Sequence, residues 1–381
     1  MRTIAVVTGT RADYSYLKPL MDEIQKDKSL HLLTIITGMH LLAKYGDTFK
    51  LVEREFPSSV KIEMPLDGDQ LIDMASYLSV GIKNFSDFLN VNSPDILLVL
   101  GDRTESLAAA LAAVYLNIPL AHVNGGDVSG TTIDESIRHV ITKLAHIHFA
   151  HTKENAKRII KMGENPNRVF VTGALTIDAI YQIIKVTKKD IFNAYNLNPL
   201  KKTILAVQHP ITTLKDRGYS QMEELVEALD ELNYQTLMIY PNCDAGGNKF
   251  IELIEKYKDN RNFHIIKNMP HSDYVNIMSH VDLMIGNSSS GIIESPSFNI
   301  PVINLGSRQQ GRERSENILD VFPDKNKIIE SIDFVFNDSI FKDKVKSCKN
   351  IFGDGTASKK IVNILKNIKL DETFIQKQIY Y

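Results

Sequence analysis

Short apolar runs alternate with longer stretches of helical spacing almost from end to end, and no other feature constrains this chain as tightly. In the first half the runs are TIAVVT (3–8), HLLTIIT (31–37), DILLVL (95–100), PLAHV (119–123), HIHFA (146–150) and RVFVTG (168–173). Runs this continuously apolar suit strands of a parallel sheet covered by helices on both faces. Residues 14–26, 70–90, 104–116, 135–145 and 152–162 carry apolar positions at helical period between them. The pattern pauses at the polar, proline-bearing NAYNLNPLKK (193–202), then resumes with TILAVQ, TLMIYP, FHIIK, VDLMIG and PVINL. The expected class is therefore α/β, with two Rossmann-like doubly wound domains facing across a cleft. The boundary is expected between about 175 and 200, giving domains over 1–180 and 181–365.

The 381 residues are long enough for about two or three domains. With 44 basic against 46 acidic residues, the net charge of −2 announces neither a nucleic-acid partner nor an anionic membrane. Two cysteines, Cys243 and Cys348, do not make a disulfide framework or a metal spacing. The opening MRTIAVVTGTRADY reads as a first strand rather than a secretory signal. No apolar run is long enough to span a membrane. The expectation is a soluble cytoplasmic protein.

Polar residues fall directly after the strands, where open sheets of this kind bind ligands. The first run leads into Arg11 and Ser15, DILLVL into Asp102 and Arg103, and PLAHV into NGGDVSGTTIDES (124–136). In the second half TILAVQ leads to His209, TLMIYP to Asn242, VDLMIG to NSSSG (287–291), and PVINL to Gly306, Ser307 and Arg308. Each loop read singly is an ordinary strand-to-helix turn with a capping residue. The shared polarity of so many strand ends points instead to a site.

NSSSGIIE offers free backbone N–H groups at a helix start, the hydroxyls of Ser288, Ser289 and Ser290, and an unobstructing Gly291. That combination suits a phosphate. Glu294, about one turn on, is placed to accept both hydroxyls of a ribose, and Arg11, Arg103 and Arg308 supply guanidinium groups for a diphosphate. Neither GxGxxG nor GxxxxGK[ST] is present, which argues against a dinucleotide fingerprint or a Walker loop. The ligand these residues suit is a nucleotide diphosphate. The histidines of HIHFAH (146–151) lack a carboxylate at ligand spacing and are read as the end of a helix and the next strand, with no metal expected.

These residues together resemble a known family, the hydrolysing UDP-N-acetylglucosamine 2-epimerases of the sialic and legionaminic acid precursor branch. The resemblance is carried by TGTRADYSYLKPLM (8–21), GDRTES (101–106), GGDVSGTTIDESIRHVITKLAH (125–146), QHPITT (208–213), PNCDAG (241–246), IGNSSSGIIE (285–294), PVINLGSRQQGRE (301–313) and IFGDGTA (351–357). It implies a glycosyltransferase-B-like fold whose last helix, about 366–381, packs back on the first domain. It also implies chemistry without metal or cofactor, and a homodimer or homotetramer. A base removes the C2 proton of the sugar as UDP leaves C1, and water adds to the resulting 2-acetamidoglucal. The family's nucleotide contacts fall on Arg11, Ser15, Arg103, His209, Asn242, Ser288, Ser289, Glu294 and Arg308, and its catalytic acids on Asp102 and Asp134. His209 is expected beside the diphosphate, helping the departing oxygen.

Asn124 departs from the pattern, because the sialic acid branch usually carries glutamate in its H-I-E-G-G. An amide exchanges no proton at neutral pH, so Asn124 orients or hydrogen-bonds. Either Asp127 takes the acid's place or Asp102 and Asp134 suffice; alternatively the loop fits another substrate. The leading expectation is release of N-acetylmannosamine and UDP from UDP-N-acetylglucosamine. The alternative within the family is the sister reaction on UDP- or GDP-linked 2,4-diacetamido-2,4,6-trideoxyglucose. Non-hydrolysing epimerases typically read GTRPEAIKMAP and E-A-G, where this chain has GTRADYSYLKP and N-G-G-D. A glycosyltransferase of the same fold would release UDP only with an acceptor, and a nucleotide-sugar sensor would bind without turnover.

Overall fold

The computed structural model describes residues 1–43, 46–65, 70–128, 133–211, 217–241 and 247–381. The chain forms two compact units, one of Met1–Gln182 with Phe352–Tyr381, the other of Ile183–Ile351.

The first unit holds a seven-stranded parallel sheet in the order β3-β2-β1-β4-β5-β6-β7. The strands are β1 (Arg2–Thr8), β2 (Leu30–Thr37), β3 (Val60–Ile62), β4 (Ile96–Leu100), β5 (Leu120–Val123), β6 (Ile147–Ala150) and β7 (Val169–Val171). Side chains alternate between its faces. Ile4, Val6, Leu98, Ala121 and Val123 pack with the Arg11–Lys26 helix and with Ile361 and Leu365 of the Ala357–Asn367 helix. Ala5, Val7, Leu97, Val99 and Leu120 pack on the other face with Phe85, Leu89 and the alanines of the Thr104–Tyr115 helix.

The second unit holds a six-stranded parallel sheet in the order β10-β9-β8-β11-β12-β13. Its strands are β8 (Thr203–Val207), β9 (Gln235–Ile239), β10 (Phe263–Ile266), β11 (Leu283–Gly286), β12 (Val302–Leu305) and β13 (Ile318–Val321). Ile204, Ala206 and Ile285 face one helical layer, and Leu205, Val207 and Met284 the other.

The α/β class with two Rossmann-like doubly wound sheets is thus the one expected. Strand order reverses between β1 and β4 in one sheet and between β8 and β11 in the other. Those two points, at the carboxyl ends, are where such sheets leave a crevice for ligand. Two edge strands, β3 and β13, escape the sequence pattern because each is too short or too exposed to show a continuous apolar run. The returning segment also differs from expectation. Its long helix is Ala357–Asn367, fixed by buried Ile361, Val362 and Leu365, while Glu372–Ile375 is the one helix among residues 368–381. No helix among the described residues is long and apolar enough to cross a membrane.

Candidate active site

Asp102 lies one residue beyond Gly101, where β4 has ended. Gly101 adopts φ +71° and donates its N–H to Val123 O at 2.9 Å, so the turn is closed against β5. Glycine is suited to this left-handed backbone. The buried His122 ring lies between Gly101 O, 2.8 Å from Nε2, and the Thr142 hydroxyl, 3.2 Å from Nδ1. Burial pushes the His122 imidazole down to about 3, so the ring is neutral.

The Asp102 carboxylate meets a partner that the sequence reading omitted. Arg138, 2% exposed, donates Nη2 to Asp102 Oδ2, while its Nη1 donates to Glu135 Oε2 at 2.9 Å and Asp127 O at 3.2 Å. Arg138 stands on the Ile133–Leu144 helix, one turn beyond Asp134. That spacing puts the two residues on one side of the helix. Asp134 itself is exposed, yet the protein around its carboxyl raises its pKa above the ordinary aspartate value, opposed by the charge of Arg103. An acid with raised pKa and a second acid held on a guanidinium, both linked to the same helix, are groups of differing proton affinity of the kind that proton transfer needs.

The loop after β5 bends in two places. Asn124 and Gly126 both adopt φ +71°, and Asn124 N donates to Phe149 O at 3.1 Å. Asparagine tolerates this conformation far better than glutamate does. A side chain at Gly126 would collide with the backbone of Asn155, and the Gly126 carbonyl accepts from Arg158. Asn124 Oδ1 is enclosed and meets no donor among the described residues. Asp127 is buried, 6% exposed, with its carbonyl on Arg138. The stretch 129–132 lies outside the described residues.

At the end of β1, Thr10 caps the Arg11–Lys26 helix and Asp13 completes the capping box. The Asp13 carboxylate accepts from Thr8 Oγ1 at 2.6 Å and from the N–H groups of Gly9 and Thr10 at 3.0 Å. Burial of the carboxyl outweighs these bonds and raises it to about 6. This cap sets Arg11 exposed on the first turn, with Ser15 one turn further, its hydroxyl on Ala12 O at 2.7 Å. Arg103 is steadied by Glu105, with Nε 3.1 Å and Nη2 3.3 Å from its oxygens. Glu105 is 2% exposed and also accepts from Tyr77 OH at 2.7 Å.

In the second unit Asn287 organises the switch point. Fully buried, it accepts from His209 N at 2.8 Å and donates Nδ2 to His209 O at 2.9 Å, tying the end of β8 to the end of β11. Its own carbonyl accepts from Arg308 Nη1 at 3.1 Å and Gln309 Nε2 at 2.9 Å. His209, Ser288 and Arg308 are thereby gathered at one edge. Ser288 and Ser289 are half-buried at the start of the Ser289–Ile293 helix. Ser290 is turned inward, its hydroxyl 2.8 Å from Ser288 Oγ and 2.6 Å from Tyr274 OH. Gly291 is buried against Val302 and Met284, so its lack of a side chain serves packing as well as access. Glu294 closes the helix, 6% exposed, with His271 Nε2 3.6 Å away. Asn242 lies outside the described residues.

Of the residues chosen from the sequence, Arg11, Ser15, Asp102, Arg103, Asn124, Asp127 and Asp134 belong to the first unit's carboxyl edge. His209, Ser288, Ser289, Ser290, Gly291, Glu294 and Arg308 belong to the second's. The strand histidines have other uses. His146 Nδ1 accepts from Leu120 N at 3.1 Å, and His148 Nε2 lies 3.1 Å from the buried Glu164 carboxylate. Arg138, His122, Glu105 and Asn287 complete the arrangement. Only Arg138 had an accessible signal, its four-residue spacing from Asp134 in IDESIRH.

Comparison with known proteins bears on this geometry. Residues 22–366 match the family model described as UDP-N-acetylglucosamine 2-epimerase. The chain is 38% identical over 379 residues, 99% of both chains, to the UDP-N,N'-diacetylbacillosamine 2-epimerase (hydrolyzing) of Legionella pneumophila. It is 37% identical over 322 residues, 84% of both, to the GDP/UDP-N,N'-diacetylbacillosamine 2-epimerase (hydrolyzing) of Campylobacter jejuni. The crystal structure of UDP-GlcNAc 2-epimerase from Neisseria meningitidis bound to UDP-GlcNAc has the same fold. Its TM-score is 0.80 at 24% identity, covering 96% of this chain and 99% of that one.

Proposed function

Because this chain belongs to the UDP-N-acetylglucosamine 2-epimerase family, we propose that it is a hydrolysing 2-epimerase of a nucleoside-diphosphate-linked 2,4-diacetamido-2,4,6-trideoxyglucose. The products are the free 2,4-diacetamido-2,4,6-trideoxymannose and the nucleoside diphosphate. The observation that carries this reading is the 38% identity, over 99% of both chains, to a hydrolysing enzyme named for that sugar nucleotide. It reverses the order of the two readings drawn from the sequence. UDP-N-acetylglucosamine, the substrate in the family description, becomes the second.

In the proposed chemistry Asp134 takes the C2 proton, since its raised pKa brings it closer to a proton-exchanging group at working pH. As the C2–H bond breaks, the C1–oxygen bond to the diphosphate breaks with it, and C1=C2 forms. The departing diphosphate takes up negative charge. Arg11, Arg103 and Arg308 offset that charge, and His209 donates toward the leaving oxygen. Water then adds its hydroxyl at C1, and a proton returns to C2 on the opposite face. Asp102, fixed on Arg138, directs the water. Ser288, Ser289, Asn242 and Glu294 hold the nucleotide. Asn124 orients the sugar without exchanging a proton, in keeping with its amide and its left-handed backbone.

The test is a comparison of kcat/KM for the UDP- and GDP-linked diacetamido sugars against UDP-N-acetylglucosamine, with free sugar and free nucleotide measured together. A preference of about a hundredfold for a diacetamido substrate supports the reading, being within the range that one set of polar contacts supplies. Equal or better turnover of UDP-N-acetylglucosamine would return the second reading to first place.

A further inference from the structure

We infer that Lys377, in the segment after the last long helix, is a positioning residue for the helix that carries Asp134 and Arg138. Its ammonium sits at the carboxyl end of the Ile133–Leu144 helix. Nζ donates to Ala145 O at 2.7 Å, to Thr142 O at 3.4 Å and to Lys143 O, and it meets Glu164 Oε2 at 2.6 Å. The last carbonyls of a helix have no partner within the helix, and a cation there also complements the helix dipole. One side chain answers both needs here.

The segment around Lys377 is held at several points on the first unit. Arg168 Nη1 donates to Phe374 O at 2.8 Å, the His146 ring stacks on Phe374 with centroids 6.1 Å apart, and Tyr380 N donates to Gly163 O at 3.0 Å. Glu164 is 1% exposed and is shared by Lys377, Lys143 and His148. A helix gripped at its carboxyl end moves as a rigid rod, so the grip reaches Asp134 and Arg138. The part of this inference that concerns turnover rests on the reaction proposed above.

The charged and titratable groups facing Lys377 are Glu164, Lys143, Arg168, His146 and His148. Burial pushes the lysine down to about 8; Glu164 opposes the shift, while Lys143 and Arg168 add to it. A neutral amine keeps two N–H donors for the four oxygens that the ammonium faces. The grip therefore loosens as pH rises past that value.

The experiment compares the full-length protein with Lys377→Met and Lys377→Arg. In Lys377→Met, amide hydrogen exchange speeds up by about tenfold over 133–146 and stays unchanged in the second unit. Its kcat falls about ten- to a hundredfold while UDP affinity holds within about twofold, as expected when a reacting group is misplaced by about 1 Å. Lys377→Arg, charged at every working pH, keeps most of kcat and loses the alkaline limb near pH 8. Unchanged exchange and kcat in a folded Lys377→Met would overturn the inference. So would an alkaline limb that stays in place in Lys377→Arg, and that variant alone decides if Lys377→Met does not fold. Faster exchange with no turnover of any nucleotide sugar by the wild type would sink the proposed reaction and leave the helix grip standing.

Discussion

Arg138, 2% exposed, reaches from the Ile133–Leu144 helix to the carboxylate of Asp102 just beyond β4. The same group takes Glu135 Oε2 and the Asp127 carbonyl, so one side chain fixes the loop after β4, the loop after β5 and the helix start. Replacing Arg138 by Met leaves Asp102 without its cation. Unfolding free energy is expected to fall by about 2–4 kcal/mol, somewhat under the roughly 3–5 kcal/mol for breaking a fully buried pair because the Asp102 side chain is 25% exposed. Turnover is expected to fall by at least about a hundredfold. Arg138→Lys does not restore it, because an ammonium lacks the fork that spans these oxygens. Urea unfolding and steady-state kinetics on both variants check this.

Asn287 is expected to govern nucleotide binding through the backbone of His209. Asn287→Ala removes an acceptor from His209 N and a donor from His209 O, both part-buried. UDP affinity measured by calorimetry should weaken about tenfold or more, since each polar group left unsatisfied costs about 1–3 kcal/mol. Asn287→Asp keeps the acceptor but faces a carbonyl with a carboxylate, and should bind UDP no better than the alanine variant.

Buried neutral histidines are expected to weaken the fold toward acid, opposed in part by Asp13, whose carboxyl raised to about 6 favours the folded state as it protonates. Burial depresses His122 to about 3, and His40 and His146 to about 4, from an ordinary 6.5. On unfolding each takes up a proton whenever the pH lies between its folded and unfolded values. Their contribution is complete above about 6.5 and is lost as pH falls toward 4 and 3, at up to about 1.4 kcal/mol per pH unit for each histidine. Denaturant midpoints at pH 7, 6 and 5 should therefore fall steadily, and His122→Gln should flatten the slope. A midpoint independent of pH over that range would contradict this.

Much of this organisation is legible in the sequence, for physical reasons that also mark where legibility ends. Parallel strands covered on both faces, such as Ile4–Val7 and Leu97–Val99, must be continuously apolar, so they announce themselves. The three-residue β3 and the half-exposed β13 have no such requirement. The placement of candidate site residues just after strands, as with Asp102 and His209, is legible from position alone. Arg138 shows only its four-residue spacing from Asp134; its burial stays hidden, because an arginine on an amphipathic helix normally points to water and here it depends on a carboxylate far off in sequence. Asn287 and His122 act by holding backbone, a task that leaves little trace in residue type. Lys377 belongs to a polar segment whose use depends wholly on what it docks against.

Asn124 is expected to resist conversion to the acid. Glutamate at φ +71° carries backbone strain of about 1–2 kcal/mol that asparagine largely avoids. Asn124→Glu should lower the melting temperature of the first unit by a few degrees, about 2–4 °C per kcal/mol for a unit of its size. It should not raise turnover of the diacetamido substrate. A stabilised or faster Asn124→Glu protein would show that the amide has no part in fitting this loop.

In the proposed reaction Asp134 and Asp102 pass the substrate through loss and regain of its C2 proton while the nucleotide is released. The most direct measurement is a proton NMR time course in deuterated water, with the UDP-linked 2,4-diacetamido-2,4,6-trideoxyglucose as substrate and Asp134→Asn as control. The expected result is free manno-configured sugar carrying deuterium at C2, with one UDP released per sugar, and no product from Asp134→Asn. Free sugar that keeps its C2 proton, or full turnover by Asp134→Asn, would contradict it.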